Sequence, residues 1–133
     1  PAMITKFEEA IKKKKNEITL LGTGKPLREF IHADDLASAI IFSLNINKKQ
    51  IKNFFRSSMP ILNIGTKDIV SIKKLSKLIA EFTGFKGKIN FDKQSPDGTF
   101  KKDLDISKVT KLGWSSKIKL FDGLKGVIEK RKR

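Results

Sequence analysis

Twice in this chain a stretch of helical period is followed within a few residues by a short β-rich run, and that order limits the fold more than any other feature. Ile4, Phe7 and Ile11 recur on one face, so residues 2–13 read as an amphipathic helix. Pro1 suits its first position, and Lys12–Lys15 suit its C-terminal end. Residues 18–21 then read as a strand. Ser71 is placed to cap a second such helix, with Ile72, Leu75, Ile79 and Phe82 on one face and Gly84 as its stop. Residues 88–91 follow as a strand. Between these pairs, residues 22–26 make a turn and residues 27–32 a strand. Asp34 or Asp35 is expected to cap a helix whose core face is Leu36, Ala37, Ile40, Ile41 and Leu44. Residues 45–59 read as an irregular connection, and residues 62–64 as a short buried strand closed by Gly65. Ser95-Pro-Asp-Gly98 is a turn by residue chemistry. Asp105 heads a short helix through Lys111, and Leu120, Leu124, Val127 and Ile128 mark a terminal one. Short strands alternating with helices predict an α/β fold, and 133 residues predict a single domain spanning the whole chain.

Composition removes several classes of chemistry. The chain has no Cys, no Tyr and one His. It therefore has no thiolate nucleophile, no disulfide, no tyrosyl acid and no two-His metal motif, and neither a catalytic group nor a metal site is expected in it. The net charge of +15 raises nucleic acid as a partner, but the cations are 25 Lys and only 4 Arg, scattered along the chain. Bidentate phosphate and base readout favours Arg. A solvated lysine surface is the simpler reading, with a basic nucleic-acid-binding domain as the alternative. No apolar run approaches the length of a bilayer span, so no membrane partner is expected and a cytoplasmic location is the default.

Phosphate-cradling motifs are missing. In Gly22-x-Gly24 the third glycine of a dinucleotide fingerprint is replaced by Leu27, and Pro26 precedes no helix. His32 lacks a nucleophile partner and reads as a strand-end residue with local hydrogen bonds.

The informative constellation is three segments. The first is Gly22-Thr-Gly-Lys-Pro-Leu-Arg28-Glu-Phe, followed by Asp34-Asp35. The second is Ile64-Gly65-Thr66. The third is Ser95-Pro-Asp97-Gly-Thr-Phe-Lys-Lys102. Leu112-Gly-Trp114 closes the set. Together they resemble the C-terminal part of the extended short-chain dehydrogenase/reductases, the NAD-dependent epimerase/dehydratase family. Within it they are most like members that epimerise and reduce a GDP-linked 4-keto sugar with NADPH.

The resemblance implies a small C-terminal substrate-binding lobe of short strands and amphipathic helices. Its site residues would be Lys6, Leu21, Arg28, Asp97 and Lys102, with a GDP-sugar as ligand. Arg28 and Lys102 would meet phosphate charge, and Asp97 would accept donors from guanine or ribose. Leu21 stands where family members carry a Trp, Phe100 replaces a Pro and Lys101 an Arg. The family's Rossmann half, with its Tyr-x-x-x-Lys couple and its Cys and His, precedes the matched segment. NADP is accordingly expected to bind that half and not this chain, which alone is expected to be inactive. A Rossmann half or a homodimer partner is the expected protein partner. A non-catalytic lobe docking on a separately encoded Rossmann chain is a further alternative.

Overall fold

A computed structural model describes residues 2–55 and 61–132. The expected helix start at Pro1 lies outside them. The elements run α1 (Ala2–Lys12), β1 (Glu17–Leu21), β2 (Leu27–Glu29), α2 (Ala33–Leu44), α3 (Lys48–Phe54), β3 (Ile69–Ser71), α4 (Ile72–Thr83), β4 (Lys88–Asp92), β5 (Lys101–Lys102), α5 (Ser107–Leu112) and α6 (Leu120–Arg131). They form two compact units, each discontinuous in sequence.

The first unit comprises Pro1–Arg28, Ile69–Lys102 and Phe121–Arg133. Strands β1 and β4 pair in parallel, with Glu17 opposite Lys88 and Leu21 opposite Asp92. The alternation of β1 turns Ile18 and Leu20 inward, where they are buried along with Ile4, Phe7, Leu75, Ile79 and Ile128. Phe7 and Phe85 meet edge to face at 5.4 Å, the geometry that aromatic quadrupoles favour. A second, three-stranded sheet runs β3-β2-β5. Helix α4 starts and ends as its sequence predicts. The Ser71 hydroxyl accepts from Lys74 N–H, and Gly84 takes a left-handed φ of 83° while its N–H returns to the carbonyls of Ala80 and Glu81. Arg131 grips Glu8 through two parallel bonds of 2.9 and 2.6 Å, joining α6 to α1.

The second unit comprises Glu29–Asp68 and Asp103–Leu120. Ala39, Ile106, Val109 and Trp114 form its core, with Ile31, Phe42, Leu62 and Ile64 packed against them. Its internal carboxylates do the fixing. Asp35, only 4% exposed, accepts from Lys117 N–H at 3.0 and 3.1 Å and from Ile118 N–H at 2.9 Å. Trp114 Nε1 donates to Ser38 Oγ at 3.0 Å. Glu29 accepts from the N–H groups of Thr66, Lys67 (2.9 Å) and Leu104 (3.0 Å).

These bonds account for most departures from the sequence expectations. Helix α2 is capped by His32, whose Nδ1 accepts from Asp34 N–H at 3.2 Å, and not by either aspartate. Its inward face is Asp35, Ala39 and Phe42, and the exposed Ser38 takes the Trp114 indole N–H while Asp35 takes the amides of residues 117 and 118. Leu36, Ala37, Ile40, Ile41 and Leu44, expected in the core, are turned outward, with Leu44 80% exposed. Strand β2 stops at Glu29 because the Phe30 carbonyl is taken by the Thr66 hydroxyl at 3.2 Å. Residues 62–64 form no strand; Asn63 instead donates to the Asp105 carbonyl at 3.1 Å. The third strand in sequence is β3, whose three residues were too short to register as a periodic pattern. Within the span expected to be irregular, α3 forms on a capping box between Asn47 and Gln50. The rest of that expectation, residues 56–59, lies outside the described residues. Asp105 accepts from Ser107 N–H at 2.9 Å, although Ile106 holds the cap position itself.

Candidate functional site

Four of the five residues singled out by sequence lie around one corner of the first unit. Strand β1 ends at Leu21, 73% exposed, and the chain turns through Gly22 and Gly24 with φ of 81° and 75°. Such values suit glycine, and space enforces the same choice. A side chain at Gly22 would collide with the Asp97 carboxylate, and one at Gly24 with the Phe91 ring. The turn is pinned by Gly22 N–H to Asp92 O at 3.0 Å and by Lys73 N–H to Gly24 O at 2.9 Å. It delivers the chain into β2, where Leu27 N–H meets Phe100 O at 2.7 Å.

The register then sets Arg28 opposite Lys102 across the parallel pair β2–β5. Arg28 Nη1 donates to its neighbour's carbonyl, Leu27 O, at 2.7 Å, and Arg28 forms no ion pair among the described residues. Lys102 is exposed. Asp97 faces this corner with both oxygens engaged, Oδ1 by Thr23 N–H at 2.6 Å and Oδ2 by the Thr23 hydroxyl at 2.5 Å. Lys6 sits elsewhere. Exposed on α1, it lines a groove of about 580 Å³ together with Glu9, Lys13, Lys15, Glu17 and Thr19, and Arg28, Asp97 and Lys102 take no part in that lining. Thr23 was missed from sequence, although its place between two glycines was on view.

The electrostatics agree with the geometry. The Thr23 hydroxyl, then the Thr23 amide, then the charges of Lys25 and Arg28 hold the Asp97 carboxyl below its usual range. Ser95 and the Gln94 amide do the same for Asp92. A carboxylate with a lowered native pKa contributes stability above its unfolded pKa of about 4 and loses it as pH falls through the native value. The urea midpoint is thus expected to stay level from neutrality to about pH 5 and to drop below about pH 4. Asp97→Asn should flatten that drop, and an unchanged acid limb in this variant would contradict the assignment.

The corner is not a cradle for a dinucleotide. The Gly22–Gly24 turn leads into a strand rather than a helix, and Asp97 already occupies the Thr23 amide that an incoming pyrophosphate would need. These residues do not fit NADP. Among the described residues no group of three or more acidic or His side chains could hold a metal, and no helix is long and apolar enough to cross a membrane.

Known proteins resemble this chain over most of its length. The profile of the NAD dependent epimerase/dehydratase family matches residues 1–65. A probable GDP-L-fucose synthase 1 of Oryza sativa subsp. japonica is 41% identical over 124 residues, 93% of this chain and 35% of that protein. The GDP-L-fucose synthase of Escherichia coli (strain K12) is 35% identical over 127 residues, 93% of this chain and 39% of that protein. Among solved structures, a GDP-mannoheptose C4 reductase from Campylobacter jejuni with NADP bound aligns at a TM-score of 0.80 and 34% identity, covering 100% of this chain and 44% of its own. The chain thus spans little more than a third of the length of these curated relatives. With helices and short strands arranged as in the C-terminal part of such enzymes, the chain is similar to members of the NAD dependent epimerase/dehydratase family and, over most of its length, to GDP-L-fucose synthases.

Proposed function

We propose that these 133 residues are the GDP-sugar-binding portion of an NADP-dependent epimerase/reductase of the GDP-L-fucose synthase type, converting GDP-4-keto-6-deoxy-D-mannose to GDP-L-fucose in the cytoplasm. The observation that carries this reading is the pairing of Arg28 with Lys102. Two cations held side by side on neighbouring strands repel, and the Asp97 carboxylate, which feels the Arg28 charge, is already committed to Thr23. A diphosphate brings the charge that relieves this repulsion. The guanidinium fork of Arg28 suits two phosphate oxygens, and Lys102 adds a point charge. Leu21 adds an exposed apolar surface at the end of β1, while of the other residues that the resemblance names, Lys6 lies on a separate groove and Asp97 is held by Thr23. Proton and hydride transfer fall outside this chain, which has neither Tyr nor Cys.

Calorimetric titration of the chain with GDP tests the reading. Charge-assisted contacts of about 1.5–3 kcal/mol each predict that Arg28→Ala weakens binding by about tenfold or more. Arg28→Lys is expected to recover only part of the loss. A Kd unchanged in Arg28→Ala would remove the site. Tight, sequence-independent DNA binding that falls steeply with salt would favour the nucleic-acid alternative instead.

The outward face of α2 supports the expected partner. Leu36, Ile40, Ile41 and Leu44 make an apolar strip larger than a solvated helix carries without cause. We infer that a nucleotide-binding Rossmann part, of which the relatives' greater length leaves room, covers that strip.

A further inference from the structure

We propose that Thr23 is a positioning residue of the anion site: by clamping Asp97 it fixes the turn that feeds β2 and so holds Arg28 beside Lys102. The proposal rests on the functional reading above for its ligand, but on the geometry alone for its mechanics.

Thr23 spends both of its donors on one carboxylate, 74 residues away in sequence. Its hydroxyl also accepts from Lys25 N–H at 3.2 Å, so a single side chain ties together the turn and the loop between β4 and β5. Each flanking glycine is closed in by the opposite segment, Gly22 by Asp97 and Gly24 by Phe91. Three residues after Gly24, the strand register of Leu27 with Lys101 and Arg28 with Lys102 begins. Two short strands of three and two residues have few ladder bonds of their own to set that register. The clamp sits immediately before both of them in sequence and supplies the missing constraint. It also gives Asp97 a role other than ligand contact. A carboxylate pointed at a diphosphate repels it, whereas one held by Thr23 organises the cations around it.

Four variants separate the two roles, read by the Arg28 Nε–H and Leu27 and Lys102 amide resonances and by GDP titration of the chain. Thr23→Val removes the hydroxyl and Asp97→Ala the carboxylate. Both are expected to move the Arg28 and Lys102 signals and to weaken GDP binding by about fivefold or more, with the double variant no worse than either alone. Thr23→Ser keeps the hydroxyl. Asp97→Asn keeps an acceptor for the amide and offers Nδ2 to the hydroxyl oxygen. Both are expected to restore the resonances and the affinity. The proposal is overturned if Thr23→Val leaves signals and affinity as in the parent while Asp97→Ala and Asp97→Asn both lose GDP, since Asp97 would then touch the ligand directly. Should the parent chain not bind GDP, the functional reading fails, and the resonances alone still decide whether Thr23 positions Arg28.

Discussion

Asp35→Ala is expected to lower stability by about 2–3 kcal/mol, the cost of stranding two part-buried backbone N–H groups that share one carboxylate. Among the described residues Asp35 is the acceptor of the Lys117 and Ile118 amides, and it is almost wholly enclosed. The loss should be local before it is global. Amide exchange at Lys117 and Ile118, and at the Trp114 indole that donates to Ser38, should accelerate first. Asp35→Asn retains one acceptor oxygen and should fall between the parent and the alanine variant. A urea midpoint for Asp35→Ala within about 0.5 kcal/mol of the parent would show that the carboxylate is dispensable.

A smaller loss, about 1–2 kcal/mol, is expected for Glu29→Ala: three backbone donors from two separate segments converge on that one side chain, but two of them can turn to water. Gly65 explains the arrangement. Any Cβ there would overlap Glu29 Oε1 and come within 3.1 Å of Ile106. Gly65→Ala should therefore be strongly destabilising in the parent chain and much milder in the Glu29→Ala background, with Ile106 accounting for what remains. Additive effects in this double-mutant cycle would contradict the contact.

Those two carboxylates show what was legible and what was not. The motifs Arg28-Glu-Phe, Asp34-Asp35 and Ile64-Gly65-Thr66 were each visible as local patterns. What they do for one another depends on pairings across 37 to 83 residues, which no window of the sequence contains. Local rules succeeded where the chain satisfies itself locally, as at Ser71 and Gly84 around α4 and in the β-rich run of residues 18–21. They failed for α2, since apolar period fixes only that a helix has greasy sides and not which side faces inward. There the choice is made by a buried charge, Asp35, against the hydrophobic count. At the site, Arg28 and Lys102 were found from the resemblance. Their adjacency came only from the register, and Thr23 was passed over because a Gly-Thr-Gly turn looks the same whether or not a distant aspartate answers it.

Strands β1 and β4 are partners across 71 positions, and both units are stitched from pieces that alternate along the chain. The entropy of closing such long loops must be spent before either pairing gives anything back. A ribosome that has released the chain as far as residue 100 has therefore released a complete version of neither unit. Ending translation anywhere before Asp103 leaves two unfinished bodies rather than one finished and one missing, which ties the two units together in synthesis.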